Sequence, residues 1–188
     1  MRIGIDCDGV LRDFIPDLIN KIKETHPELA YGIRVPTSWD WEEWLPFWTD
    51  EETEKYVFEE HFEELFGPEA SVIESSLTDW PILKAWAKEQ GHELILVSAQ
   101  RENCKELTTQ WLQRWGFVFD EMHYTHKKWS VDVDVLVDDS PAKLGMFKKK
   151  SITGGVPICY RQTWNTKSQK SKLTIDRLSD LMYVCFGK

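Results

Sequence analysis

The chain lacks a long apolar run. No stretch of its 188 residues approaches the roughly 20 apolar residues of a membrane-spanning helix, so no membrane partner is expected. Asp6 and Asp8 interrupt the apolar start, so no signal peptide is expected either. Cysteine is scarce: Cys7, Cys104, Cys159 and Cys185 are scattered without paired spacing. That pattern fits reduced thiols in a cytoplasmic protein better than disulfides or zinc. The five histidines join no cysteine cluster that would suit zinc. Internal repeats and low-complexity tracts are absent. One window is nearly devoid of positive charge. From Asp40 to Glu64, eleven acidic residues face a single basic one, Lys55. The whole chain carries 32 acidic and 23 basic residues, so this window accounts for the net charge of −9 and the remainder is close to neutral. Such a segment repels polyanions, which argues against a polymeric nucleic acid as partner and leaves room for a small phosphorylated substrate held by a metal.

What is present describes a globular α/β protein. Hydrophobic residues make up 41% and charged residues 29%, and the length suits one compact domain or a core with an insert. A short strand (Ile3, Ile5) is followed by a helix carrying Phe14, Leu18, Ile19 and Ile22, ended by Pro27. Gly32 and Pro36 lead into the acidic window, which holds Trp39, Trp41, Trp44 and Trp48. There Asp50 is expected to cap a helix running to Phe66. A helix capped by Thr78 or Asp79, with Pro81 in its first turn, precedes the strand Glu93–Val97. A helix with Leu107, Trp111, Leu112 and Trp115 ends at Gly116, and a strand near Met122–Tyr124 leads to Lys127 and Lys128. Val133–Val137 is a strand ending in Asp138-Asp139, followed by a lysine-rich helix (143–150) and a strand Val156–Tyr160. Gln162–Lys172 reads as a polar, mobile loop, and Ile175, Leu178, Leu181, Met182 and Cys185 as one helical face. Strand–helix alternation predicts a Rossmann-like, doubly wound parallel sheet in the α/β class. A small, mostly helical cap (28–76) would be inserted after the first strand–helix unit, with 1–27 and 77–188 forming the core.

Three apolar strands end in polar residues suited to one task. Asp6 and Asp8 alternate on an extended chain and so point the same way. Gly9 lets the backbone turn sharply after them. Ser98 and the pair Asp138-Asp139 close two other strands, and Lys128 lies ten residues before Asp138. In a parallel sheet these ends share one edge, where ligands bind. Carboxylate oxygens suit a hard cation such as Mg²⁺. A hydroxyl and an ammonium can hold phosphoryl oxygens, while one aspartate attacks phosphorus and its neighbour protonates the leaving group. Each piece also has a bland reading. Asp6-Cys7-Asp8-Gly9 could be a surface turn, and Ser98 or Asp138-Asp139 could cap the next helix.

Together these motifs resemble the haloacid dehalogenase-type phosphatases. Ile5-Asp6-Cys7-Asp8-Gly9-Val10 is similar to their motif I, Val97-Ser98-Ala99 to motif II, Lys128 to motif III and Val137-Asp138-Asp139 to motif IV. The resemblance implies that Asp6 is the nucleophile and Asp8 the general acid/base. It implies Mg²⁺ held by Asp6, the Asp8 backbone carbonyl and Asp139, with Asp138 beside them, and phosphate held by Ser98, Ala99 and Lys128. Asp8-Gly9-Val10-Leu11-Arg12-Asp13-Phe14 further resembles the opening DGVLADF of the 5′(3′)-deoxyribonucleotidases. That implies a nucleoside monophosphate as substrate, its base packed against Phe14 and cap aromatics. Trp39 and Trp41 are chosen because they follow the Pro36 loop. Arg12 replaces a small residue of the pattern, and Trp39–Trp48 does not align with the family's cap. Two alternatives stay open: a phosphatase of the same fold for a sugar phosphate or a nucleic-acid 3′-phosphate, and a non-catalytic phosphate-binding scaffold.

Overall fold

The computed structural model describes residues 1–166 and 173–184. Its centre is β1 (Arg2–Ile5), hydrogen-bonded on one side to β2 (Glu93–Ser98) and on the other to β4 (Val135–Asp138). With β3 (Glu121–Tyr124), β5 (Val156–Tyr160) and β6 (Leu173–Ile175) the order is β3-β2-β1-β4-β5-β6, every pairing parallel. Ile5 stands opposite both Leu96 and Val137, which places the C-terminal ends of the three central strands at one edge.

Parallel strands are buried on both faces, and the side chains sort accordingly. Ile3, Ile5, Leu94, Leu96, Val135 and Val137 face one core with Trp80 and Leu83 of α5 (Glu74–Glu89) and Trp111 and Leu112 of α6 (Glu102–Trp115). Ile95, Val97 and Leu136 face another core with Leu144 and Phe147 of α7 (Pro141–Lys150). A third core joins Phe14, Leu18 and Ile22 of α1 (Phe14–Thr25) to Trp44 of α2 (Trp41–Trp44), Tyr56 and Val57, and Leu65 and Phe66 of α4 (Phe62–Phe66). Each such side chain contributes about 1.5–3 kcal/mol on burial. The eleven acidic residues between Asp40 and Glu64 all lie exposed around this aromatic set. Among the described residues no helix is long and apolar enough to cross a membrane.

Several elements differ from the expectation. Thr49, not Asp50, caps α3 (Asp50–Lys55): its hydroxyl accepts from the Glu52 N–H, and Glu52 accepts in return from the Thr49 N–H. Beyond α3 the helix widens over Tyr56–Glu60 and breaks at His61. At roughly 100° per residue, residues nine apart on an unbroken α-helix lie on opposite sides. The break brings Phe66 onto the same core as Val57. The helix α5 starts at Glu74, not at Thr78 or Asp79, and contains Pro81 in its interior. Asp79 instead is buried and accepts from Arg177 and from the Ser179 N–H and hydroxyl, fastening the chain's C-terminal turns to α5. The expected closing helical face is divided. Ile175 pairs with Tyr160 in β6, Leu178 lies in a 3-10 turn (Leu178–Asp180), and Leu181 and Met182 lie in α8 (Leu181–Val184), with Cys185 outside the described residues. The supposed polar loop is ordered at its start, with Trp164 and Asn165 buried in a turn; 167–172 lie outside the described residues.

Candidate active site

The β1 ladder reaches Asp6, whose N–H donates to the Val137 carbonyl at 2.9 Å. The chain then curls: the Cys7 carbonyl accepts from Leu11 N–H at 2.8 Å and Arg12 N–H at 2.9 Å. Gly9 stands at φ +74°, and a Cβ there would lie 2.1 Å from Asp139 Oδ2. The turn is glycine because the backbone presses against a carboxylate and because an L side chain disfavours that φ.

Asp6 Oδ1 accepts from the Cys7 N–H at 2.8 Å, and Oδ2 lies 2.6 Å from Lys128 Nζ. Lys128, in the short turn Lys128–Ser130, is 2% exposed and lies 2.7 Å from Asp138 Oδ2. Asp138 Oδ1 accepts from the Ser140 N–H at 2.8 Å, so both oxygens of Asp138 are engaged. Asp139 differs. Its Oδ2 accepts from the indole N–H of Trp39 at 3.1 Å and of Trp164 at 2.6 Å, and Asn165 donates to its carbonyl at 2.8 Å. Its Oδ1 is buried without a partner. Asp8 accepts from Arg12 on Oδ1, at 3.1 Å, and from Gln100 on Oδ2.

Burial pushes Asp6 up to about 7; Lys128 pulls it down, and Asp138 and Asp8 push it further up. Asp139 is raised well above the carboxylate range by burial and by the charges of Asp138 and Asp6. For Lys128, burial works against the ammonium, but Asp138 and Asp6 more than offset it and keep it charged. Like charges this close need a counter-charge. Ligand oxygens of Asp6, Asp138 and Asp139 lie within 4.8 Å of one another. This all-oxygen donor set, with an orphaned oxygen on Asp139, fits a hard divalent cation.

A cleft of about 210 Å³ opens on this cluster. Asp6, Asp8, Lys128 and Asp139 form its acidic end, with Ala99, Gln100, Ser140 and Lys143 beside them. Its other wall is aromatic: Phe14, Trp39, Trp41, Phe58 and Phe66. The rings stack in series, Trp41 on Phe58 at 6.4 Å, Phe58 on Phe66 at 5.5 Å and Phe66 on Phe14 at 5.4 Å between centroids. Trp39 and Trp41 thus face the cleft, whereas Trp44 is buried in the aromatic core.

The structure therefore brings Asp6, Asp8, Ala99, Lys128, Asp139, Phe14, Trp39 and Trp41 to one cleft. Ser98 and Asp138 stand behind it, fully buried. The Ser98 hydroxyl accepts from Gln100 at 3.4 Å. Gln100, Trp164, Asn165 and Gln162, whose amide donates to the Gly9 carbonyl at 2.9 Å, escaped the sequence reading. A tryptophan inside an otherwise polar stretch was the one available signal for the 162–166 turn.

Solved structures of similar fold include a predicted phosphatase from Clostridium acetobutylicum (TM-score 0.66, 12% identity, covering 98% of this chain and 97% of that one). A haloacid dehalogenase-like hydrolase from Streptococcus pneumoniae aligns with TM-score 0.63 and 13% identity, covering 97% of each chain. L-2-haloacid dehalogenase from Xanthobacter autotrophicus, solved with chloropropionic acid covalently bound, aligns with TM-score 0.60 and 11% identity over 99% of this chain and 98% of that one. These likenesses establish the fold as that of the haloacid dehalogenase-like hydrolases. No curated protein matches the sequence. The family described as 5′ nucleotidase, deoxy (pyrimidine), cytosolic type C matches residues 1–174. The chain belongs to that family, and is a phosphoric monoester hydrolase of the nucleotidase-like kind.

Proposed function

We propose that the protein hydrolyses a nucleoside monophosphate through an aspartyl-phosphate on Asp6. The observation that carries the reading is the two-ended cleft: carboxylates and an ammonium at one end, stacked aromatic rings along the opposite wall. Asp6 attacks phosphorus, the ester P–O bond breaks, and Asp8 gives its proton to the departing oxygen. Water then attacks the same phosphorus, Asp8 takes its proton, and inorganic phosphate leaves with Asp6 restored. Lys128 neutralises Asp6 and offers N–H donors to a phosphoryl oxygen, as does the backbone at Ala99. For Ser98 to share that task, Gln100 has to turn aside. Asp6, the Asp8 carbonyl and the free Oδ1 of Asp139 would hold Mg²⁺, with Asp138 fixing Lys128 beside it; the ion would supply positive charge against the phosphoryl oxygens. The segment 28–76 would act as the cap over this cleft.

A panel of phosphomonoesters assayed for phosphate release with and without Mg²⁺ tests the reading. Nucleoside monophosphates are expected to lead, and absence of any Mg²⁺-dependent release would favour a non-catalytic binding protein. Trp41→Ala should raise KM for the nucleotide about tenfold, since stacking on one ring contributes roughly 1–3 kcal/mol per base. For deoxyribose 5-phosphate, which has no base, KM should hold, and an equal rise would remove the case for stacking. Trp41 is the better probe because Phe14 is buried and its loss would also weaken the core.

Mg²⁺ is also expected to act on stability. Because the folded pKa of Asp6 is raised, the metal-free protein binds more protons than the unfolded chain between the ordinary carboxylate value and about 7. The contribution of Asp6 to stability therefore falls as pH rises through that window. At pH 8, Mg²⁺ at about a hundred times its Kd should raise Tm by roughly 5 °C or more over the chelated protein. The rise should shrink at pH 5.5, where protons compete. A Tm indifferent to Mg²⁺ at pH 8 would count against the site.

A further inference from the structure

We propose that Arg12 is a positioning residue for Asp8, holding the proton-transfer carboxyl by one oxygen so that the other works on the substrate. The inference rests on the reading of Asp8 as acid/base.

Arg12 is wholly buried. Removing a guanidinium from water is unfavourable by several kcal/mol unless good partners compensate. Its partners are few and specific. Nη1 donates to Asp8 Oδ1 at 3.1 Å, and Nη2 to Thr108 Oγ1 at 2.9 Å. The guanidinium carbon Cζ lies 4.8 Å from the Trp111 ring centroid and 5.2 Å from the Phe66 ring centroid, while Nε has no partner. Among the described residues, Asp8 is the one carboxylate that pairs with it. The planar group is thus clamped between α4 and α6, and its charge is directed at a single carboxylate oxygen.

The two oxygens of Asp8 are held differently. Arg12 stands behind the cleft and grips Oδ1 with a buried, charged donor. Gln100 lines the cleft and meets Oδ2 with a neutral amide. A departing ester oxygen can replace the amide; it cannot reach the guanidinium. Oδ1 is therefore the fixed corner and Oδ2 the working one, and Arg12 sets the direction of Oδ2. A small residue at position 12, as in the related pattern DGVLADF, could not do this.

The test uses leaving groups. p-Nitrophenolate departs as a stabilised anion and needs little protonation, whereas an alkyl oxygen needs the acid. kcat/KM reports the phosphoryl-transfer half of the reaction. Arg12→Met should lower kcat/KM by about 100-fold for the best alkyl phosphomonoester but by less than about fivefold for p-nitrophenyl phosphate. A merely structural loss would lower both alike. Should Arg12→Met fail to fold, Thr108→Val, which frees Nη2 and leaves the cleft untouched, should show the same selectivity at about three- to tenfold. An equal loss on both substrates, or no loss, in the folded variant overturns the inference. Asp8→Asn serves as reference and should lose the alkyl substrate selectively. Where it does and the position-12 and position-108 variants do not, only the inference about Arg12 fails. Where Asp8→Asn itself loses both substrates alike, the acid/base reading fails and takes the inference with it.

Discussion

Asp6→Asn is expected to lower kcat by roughly 10⁴-fold or more, the scale seen when a member of a nucleophile–acid unit is removed. The carboxylate that would carry the phosphoryl group is gone, and an amide nitrogen is not a nucleophile. The fold should survive. The asparagine Oδ1 still accepts from the Cys7 N–H, and Lys128 keeps its 2.7 Å pair with Asp138. Burial already opposes the Asp6 charge, so removing it relieves crowding among three carboxylates. Thermal unfolding by circular dichroism should move by no more than about 2–4 °C. Turnover above about one per cent of the parent's in a folded Asp6→Asn protein would assign the attack to another residue.

Gly9→Ala is expected to reduce kcat/KM by at least about 100-fold, through geometry and without touching a reacting atom. At φ +74° a methyl group is strained by roughly 1 kcal/mol or more. It would also sit 2.1 Å from Asp139 Oδ2. That oxygen has nowhere to go, because two indole N–H groups and complete burial fix it. Asp139 or the Asp6–Asp8 turn must shift, and the carboxylate cluster loses its spacing. Kinetics paired with a Mg²⁺ titration followed by Tm would check this: the Mg²⁺-induced rise should shrink together with activity. Full activity in Gly9→Ala would mean that the close approach of turn and carboxylate is dispensable.

The parts of the site that could be read from sequence are those that follow strand ends. Asp6, Asp8 and Asp139 end apolar runs whose burial forces them to one edge of the sheet, so strand pattern alone places them. The residues that were missed reach the site by routes without periodicity. Gln100 lies two residues past a strand end, in a loop whose course depends on α6. Trp164 and Asn165 come from a turn that follows β5 and folds back over Asp139. The helix starts at 50 and 74 differ from the expectation for separate reasons: at 50 a neighbouring residue, Thr49, makes the local capping box with Glu52, whereas at 74 tertiary bonds override local capping preference. At Glu74, the Ile73 N–H donates to the Leu11 carbonyl and the Ser76 hydroxyl to the Val10 carbonyl, and these bonds fix a helix start that carries no strong cap of its own.

The central position of β1 bears on how the chain is made. Its partners in register are Glu93–Leu96 and Val135–Val137, so β1 is synthesised about 90 and 130 residues before the strands it pairs with. Until then Ile3 and Ile5 have no sheet to join. The aromatic core of α1, α2 and α4 draws mostly on residues 14–66 and can collapse in the interval, before the strands assemble. Closure of the sheet around β1 is a long-range event with a large loop-closure entropy. It is the expected slow step of folding, and the carboxylate cluster comes together only when that step is complete.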